Sequence, residues 1–239
     1  MLSAIPWYAL PISVNELLID RFTVTESPLW SHNKKLREFV NPGILSIGVN
    51  SINNLPSLSD AEDEAENIFN MWPSDHKLLL TKEKATLGDN PELLLSNYQI
   101  IHIASHTTVH QGLSNNSTIR LTTSKGNTPI TISSISKMSL NADLVYLSSC
   151  ESARVISSNG TMTSFTSAFL EAGVNNVIAS PTAIDDQFGK QTAELFYKFW
   201  LGGATKPEAL RQALLIQRKS DTWSGPEYWG FIKIYGQID

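Results

Sequence analysis

The single cysteine of the chain, Cys150, ends an apolar run, and a histidine ends another such run upstream. Residues 142–149 (ADLVYLSS) lead into Cys150, and residues 98–105 (YQIIHIAS) lead into His106. A neutral imidazole can take the proton of a thiol, and the resulting thiolate attacks a carbonyl carbon to form an acyl-enzyme that water then releases. These two residue types are therefore sufficient for covalent hydrolysis.

Backbone amides beside the two candidate residues can complete this chemistry. The tetrahedral intermediate carries negative charge on the former carbonyl oxygen, and N–H groups directed at that oxygen stabilise it. The amides of Thr107 and Cys150 lie where the two apolar runs end, so we expect both to serve as oxyanion donors. The mechanism requires no metal and no organic cofactor, and we expect neither.

The same residues have alternative interpretations. A free cysteine that follows a strand is more often an inert, packed side chain than a nucleophile. His102, inside the run before His106, has the position of a buried structural histidine, and His110 is a rival candidate for the base. The pattern alone therefore leaves Cys150 open between packing and catalysis.

Short apolar runs rich in β-branched residues recur along the chain and predict buried strands that position the two residues. They lie at 44–49, 77–80, 98–105, 142–149, 175–180 and 231–236. Segments of helical period separate most of them, which predicts an α/β fold with a mostly parallel sheet covered on both faces. Ligands of such sheets bind beyond the carboxyl ends of the strands, where Cys150 and His106 are expected.

Helices are predicted where apolar residues recur every three or four positions. The segments are 58–72, 186–201 and 207–219, and Asp185 or Asp186 is placed to cap the second of them. In the segment 58–72, the acidic residues are expected on the solvent face; they are Glu62, Asp63, Glu64 and Glu66.

Two polar segments begin directly after the candidate catalytic residues. Residues 107–132 are rich in Ser, Thr, Asn and Gly and predict a long loop or a small hairpin, and residues 151–163 form a second such segment. Long loops in compact domains are usually functional or mobile. Both segments are therefore expected to border a site.

Composition limits the classes of partner and compartment. A chain of 239 residues with 41% hydrophobic residues can bury a full core, and we expect one domain over residues 1–239. The net charge of −5 comes without clustered Lys and Arg, so direct nucleic-acid binding is not expected. The sequence has no secretory signal and no second cysteine for a disulfide, so the chain is expected to be cytoplasmic. It has no apolar run of about 20 residues, so no membrane contact is expected.

The order of several motifs resembles the CHAT family of caspase-like cysteine peptidases, which are distant relatives of separase. The motifs are IPWYALPI, TVTESPLW, LPSLSDAEDEAENI, IIHIASH, LVYLSSCESA, FLEAGVNNVIAS, DDQFGKQTAELFYKFW, KPEALRQAL and PEYWGFIKIYG. They follow the order that the family shows, and together they cover almost the whole chain. The resemblance implies a caspase-like three-layer α/β sandwich with a mostly parallel central sheet, and a cysteine endopeptidase that acts on a protein substrate.

The resemblance also assigns roles to individual residues. His106, which closes the HIASH run, corresponds to the catalytic base, and Cys150 corresponds to the nucleophile. In related separases, an acidic residue of the segment that matches AIDDQF recognises a basic side chain of the substrate. The candidates here are Asp185 and Asp186, and we expect Asp186 to bind the substrate while Asp185 caps the following helix.

Two positions depart from the family pattern. Thr107 stands where many members have Gly, but it keeps the amide that the proposed role uses, whereas Thr182 stands where the family often has Trp and alters the expected lining of the substrate pocket. These departures favour an alternative, a catalytically inactive scaffold or protein-interaction module. A non-peptidase signalling or ligand-binding domain is a further alternative, disfavoured because no Gly-rich phosphate loop follows a predicted strand.

Peptidases of this family usually form the effector end of a larger protein. Other domains of such proteins, often helical repeats, sense a signal. The resemblance therefore implies a sensor or repeat domain, or an activating partner, beside the protein substrate, and a regulated effector role in signalling or defence.

Overall fold

The computed structural model describes residues 5–27, 39–50, 57–111, 116–121, 130–158 and 161–237. The strands are β1 (Pro11–Ser13), β2 (Glu16–Leu17), β3 (Thr25–Glu26), β4 (Ile44–Gly48), β5 (Lys77–Thr81), β6 (Ile100–Ala104), β7 (Thr107–Thr108), β8 (Thr118–Ile119), β9 (Ile130–Thr131), β10 (Leu144–Ser148), β11 (Ile156–Ser158), β12 (Thr161–Thr163), β13 (Asn176–Ala179) and β14 (Lys233–Gly236). The helices are α1 (Leu18–Arg21), α2 (Ala61–Met71), α3 (Pro91–Ser96), α4 (Ile132–Ile135), α5 (Phe165–Glu171), α6 (Asp186–Leu201), α7 (Lys206–Gln217) and α8 (Pro226–Trp229).

The central sheet of the described chain has seven strands in the order β3-β14-β13-β10-β6-β4-β5. The five strands from β13 to β5 run parallel to one another, and β14 pairs antiparallel with β13. β3 pairs parallel with β14 at the edge. The predicted mostly parallel sheet is therefore confirmed, and each of the predicted apolar runs contributes a strand to it.

Both faces of this sheet are buried. Successive side chains of a strand point to opposite faces, so each strand contributes to two separate cores. In β10, Val145 and Leu147 join a core that contains Phe169 of α5, whereas Leu144 and Tyr146 join a core that contains helices α2, α6 and α7. Helices thus cover the sheet on each side, and the three-layer α/β sandwich is confirmed.

The register of β6 and β10 places the two candidate residues at one edge of the sheet. The strands are adjacent and parallel, and Ala104 lies opposite Ser148 at their carboxyl ends. His106 follows β6 and Cys150 follows β10 after equally short segments. Because neighbouring strands lie about 4.8 Å apart, the chain enters both loops side by side.

The predicted helices lie close to the expected bounds, and the two polar segments contain short strands. The helix predicted over 58–72 spans Ala61–Met71, that over 207–219 spans Lys206–Gln217, and that over 186–201 spans Asp186–Leu201. In the described parts of the polar segments, β7, β8 and β9 form one antiparallel sheet and β11 pairs with β12. No helix in the described residues is long and apolar enough to cross a membrane.

Candidate active site

A cleft lies beyond the carboxyl ends of β6 and β10, between the starts of helices α2 and α6. His106 and Cys150 both line it. The other residues that line the cleft are Leu58, Ala61, Glu64, Ser105, Ser148, Ser149, Ile184, Asp185, Asp186 and Gly189. The structure therefore brings together the predicted nucleophile, the predicted base and both predicted substrate-binding aspartates.

Cys150 is half-buried, and its thiol faces a backbone carbonyl. Sγ contacts the carbonyl oxygen of Ile184 at 3.8 Å, within the range of a weak S–H···O hydrogen bond. Burial raises the pKa of the Cys150 thiol, and the negative charges of Asp186 and Glu151 raise this pKa further. The resting side chain at neutral pH is therefore the thiol rather than the thiolate.

The backbone turns sharply directly after Cys150. Glu151 has a φ of 55°, in the left-handed region that an L-residue adopts at a cost of about 1–2 kcal/mol. Its N–H donates to the carbonyl of Thr182 at 3.1 Å, and its Oε1 lies 2.5 Å from Nη1 of Arg154. The Glu151 carboxylate therefore pairs with Arg154, while the turn leaves Cys150 on the cleft.

Thr107 links the loop after β6 to the loop after β10. Its hydroxyl donates to the carbonyl of Cys150. The Arg120 N–H donates to the carbonyl of His106 at 2.8 Å, so the next pair of this antiparallel ladder, Thr107 and Ile119, is of the non-hydrogen-bonded type. The amide of Thr107 is therefore directed away from β8.

The two aspartates at the start of α6 have different contacts. Asp185 accepts a hydrogen bond from the N–H of Phe188 at 3.0 Å and caps the helix. Asp186 accepts one from the N–H of Ser59 at 3.2 Å. Burial raises the pKa of the Asp186 carboxyl, against the opposing effects of the Ser59 hydrogen bond and of nearby His106. Helix capping thus belongs to Asp185, whereas Asp186, which lines the cleft together with His106 and Cys150, does not cap the helix.

We predict that this division is visible in stability. Asp185→Ala removes the cap and is expected to lower the free energy of unfolding by about 1 kcal/mol. Asp186→Ala is expected to leave it unchanged or slightly raised at pH 7, because a carboxyl with a raised pKa is less stable as a carboxylate in the folded state than in the unfolded state. Urea denaturation of the two variants and the parent measures both effects, and equal losses would contradict the assignment.

Glu64 of α2 is a cleft residue that the sequence pattern placed wrongly. It was expected on the solvent face, but it is 2% exposed, because it falls on the same helical stripe as Ala61 and Ile68. Oε1 lies 3.1 Å from Nε2 of the fully buried His102, although the pair misses hydrogen-bond geometry, and Oε2 accepts from the Ser148 hydroxyl at 3.0 Å. The spacing of positions 61, 64 and 68 was the signal that could have placed it.

The charges that line the cleft are mainly negative. They comprise the carboxylates of Glu64, Asp185 and Asp186, and the one lining side chain that can become cationic is His106. Throughout the described residues, no group of three or more His, Cys, Asp and Glu side chains is arranged to hold a metal ion. The chemistry available in the cleft is thus that of a thiol, an imidazole, backbone amides and carboxylates.

Solved structures with the same fold include known cysteine peptidases. Separase of Saccharomyces cerevisiae, solved as a separase–securin complex, matches with a TM-score of 0.66 at 17% identity, over 97% of this chain and 14% of that chain. The Arg-specific cysteine proteinase gingipain R matches with a TM-score of 0.53 at 12% identity, over 82% of this chain and 46% of that chain. The complex of RgpB pro- and mature domains from Porphyromonas gingivalis gives 0.56 at 10% identity, over 82% and 47%.

These structures show a caspase-like fold shared with much longer proteins. The chain spans about one seventh of the separase chain and less than half of the gingipain chains. No curated protein matches the chain in sequence. The family model of the CHAT domain matches residues 1–237, which is nearly the full length. The chain therefore belongs to the CHAT-domain family.

Proposed function

We propose that the chain is a cysteine endopeptidase that cleaves a protein substrate through His106 and Cys150. The observation that carries this proposal is the register of β6 and β10, which brings a histidine and the single cysteine of the chain to one cleft. His106 accepts the thiol proton, and Sγ then bonds to the carbonyl carbon of the scissile peptide. His106 then donates that proton to the leaving amine, and the acyl-enzyme remains. Water, deprotonated by His106, hydrolyses the thioester and regenerates the thiol.

The amides of Thr107 and Cys150 donate to the oxyanion in this proposal. The Thr107 amide is suited to this role because it is directed away from β8, and the bond from its hydroxyl to the Cys150 carbonyl ties the two donor segments together. Donors fixed in advance stabilise the developing charge without reorganising during the reaction. A threonine at this position is therefore compatible with catalysis.

The substrate is proposed to carry Arg or Lys before the scissile bond. A carboxylate that is partly desolvated pairs with a guanidinium or ammonium group through charge-assisted hydrogen bonds. Asp186 has this character, because burial raises its pKa and it faces the cleft beside Cys150. Gingipain R, which shares the fold, is described as Arg-specific.

We further propose that the chain, acting as one domain, is the regulated effector of a larger assembly. The raised pKa of the Cys150 thiol suits an effector with low resting activity. The separase structure contains a protein partner, securin, and this chain spans a small part of separase. A sensor or repeat domain, or an activating partner, would control the cleft.

The alternative is a catalytically inactive scaffold or protein-interaction module. The observation that favours it is the thiol itself, which contacts the Ile184 carbonyl and has a raised pKa. A scaffold would keep the CHAT-domain fold without needing an ionisable nucleophile. The two functions therefore differ in whether replacement of Cys150 changes the cleavage of any protein in the cell.

A comparison of protein N-termini in cells tests the proposed function. Cells of the encoding organism that carry the native gene, under conditions in which it is expressed, are compared with cells that carry Cys150→Ala at the same locus. We expect new N-termini, preceded by Arg or Lys, in the parent alone. Identical sets of N-termini in the two strains would favour the scaffold, and N-termini preceded by neutral residues would retain the peptidase but reject the proposed specificity.

A further inference from the structure

Ionisation of Cys150 adds a negative charge to a cleft that already contains three carboxylates. Glu64 is 2% exposed and its Oε1 accepts no hydrogen bond, Asp185 caps α6, and Asp186 accepts from the Ser59 N–H at 3.2 Å. Like charges disfavour the charged form of a nearby group. The resting cleft therefore opposes the thiolate that the proposed reaction needs.

The neighbouring cations of the described chain are engaged elsewhere. Lys190 of α6 lies 3.2 Å from Asp60 and 3.6 Å from Asp63. Arg154 lies 2.5 Å from Glu151. Neither side chain lines the cleft, and the lining residues include no Lys or Arg. His102 lies 3.1 Å from Glu64 beneath the cleft. Positive charge that offsets Asp186 must therefore come from His106 or from a ligand.

We propose that the cationic side chain of the substrate activates Cys150 by pairing with Asp186. A guanidinium or ammonium group at Asp186 neutralises the carboxylate that lines the cleft together with Cys150, and the substrate displaces water around both. The S–H bond then breaks and its proton moves to an imidazole nitrogen of His106. A cation at Asp186 removes the repulsion between that carboxylate and the thiolate, and it also removes the attraction of the carboxylate for the imidazolium of His106, so activation requires the first effect to exceed the second. Recognition of the side chain and ionisation of the nucleophile thus become one event.

This inference rests on the proposed function, because it assigns the cation site to Asp186. It adds that a neutral residue before the scissile bond impairs two steps, the binding of the peptide and the ionisation of Cys150. Such a peptide binds less well, and it also leaves the thiol protonated. The resting thiol is consequently protected from other electrophiles until a matching substrate arrives.

Alkylation of the single cysteine by iodoacetamide tests this coupling without any peptide. Iodoacetamide is uncharged, and the mass of the intact protein reports modification of Cys150 because the chain has no other cysteine. The rate is measured from neutral to alkaline pH with n-butylguanidinium, with its neutral isostere n-butylurea, and with tetramethylammonium chloride at equal ionic strength as the control for screening.

We expect n-butylguanidinium to lower the apparent pKa of alkylation by about one unit, which raises the thiolate fraction near pH 7 about tenfold. The nucleophilicity of a thiolate falls with its pKa, so the net acceleration is about threefold. Butylurea and tetramethylammonium should cause neither change. The apparent pKa is the deciding measurement, because a bound probe that partly blocks iodoacetamide lowers the rate without moving the pKa.

Two variants locate the effect. Asp186→Asn is expected to lower the apparent pKa of alkylation without any probe and to abolish the response to n-butylguanidinium. Glu151→Gln, the matched control, removes another charge that raises the thiol pKa. It should also lower the apparent pKa, but it should keep the response because Glu151 does not line the cleft.

An apparent pKa of the parent that n-butylguanidinium does not lower overturns the inference, whether the probe fails to bind or binds without effect. A response that persists in Asp186→Asn overturns it as well. If peptides with Arg before the scissile bond are cleaved but alkylation does not respond, the proposed function stands and this inference falls. If alkylation responds but no peptide is cleaved, the coupling stands and the peptidase function falls.

Discussion

We expect Cys150→Ala and His106→Ala each to abolish peptide cleavage, by at least about a thousandfold in kcat, while the fold remains intact. The loss should be large because, in the proposed mechanism, the thiolate of Cys150 is the nucleophile and His106 moves both the thiol proton and the leaving-group proton. The two residues act as a unit, so the double variant should be little worse than either single variant. Steady-state cleavage of a peptide substrate measures the loss, and circular dichroism checks the fold.

His110→Ala is the matched control for the catalytic histidine. His110 is exposed, it does not line the cleft, and its N–H donates to the Ser117 hydroxyl at 2.9 Å. Its replacement should leave kcat close to that of the parent. Cleavage that survives in His106→Ala but disappears in His110→Ala would transfer the role of base to His110, and cleavage that survives in Cys150→Ala would reject covalent catalysis.

The central sheet was predictable because its strands are buried on both faces. A strand such as β10 is apolar at nearly every position, and this produces a short, continuous apolar run in the sequence that ends where the chain leaves the sheet. Two such apolar runs end directly before His106 and Cys150, and this drew attention to the two residues. Parallel strands share the edge at which their carboxyl ends lie, so the sequence also predicted that the two residues share a site.

The parts that the sequence did not reveal depend on contacts between distant segments. β3 has two residues, and it is held at the sheet edge where Glu26 lies 2.6 Å from the buried Nζ of Lys233. The bond from the Thr107 hydroxyl to the Cys150 carbonyl joins two loops. Such contacts leave no periodic pattern in either segment, because each depends on how the whole chain has packed.

The burial of Glu64 shows a different limit. An acidic residue is rarely buried without a partner, so charge alone predicted the solvent face. The partners that make burial acceptable, His102 of β6 and the hydroxyl of Ser148 on β10, come from separate strands. The helical spacing of Glu64, rather than its charge, determines which face of α2 it occupies, and its carboxylate therefore lines the cleft.

We expect a substrate with Arg before the scissile bond to be cleaved about 30-fold more efficiently than the same peptide with citrulline, its neutral isostere. This ratio corresponds to about 2 kcal/mol, the low end of the cost of leaving a charged group unpaired, because Asp186 is half-buried and partly screened. In Asp186→Asn the ratio of kcat/KM should fall close to one. In Asp185→Asn, which changes the helix cap, it should stay near that of the parent.

The pH dependence of this preference separates recognition by a carboxylate from recognition by shape. The pKa of Asp186 is raised above the ordinary 3.8 of an aspartate, chiefly by burial, so the carboxylate is present above that raised value and is lost as the pH falls through it. The ratio of Arg to citrulline cleavage should therefore begin to fall at a higher pH than an exposed aspartate would allow. It should be insensitive to pH in Asp186→Asn. A parent that cleaves after Leu and Arg equally well, or a variant with an unchanged profile, would show that Asp186, like Asp185, serves the structure rather than the substrate.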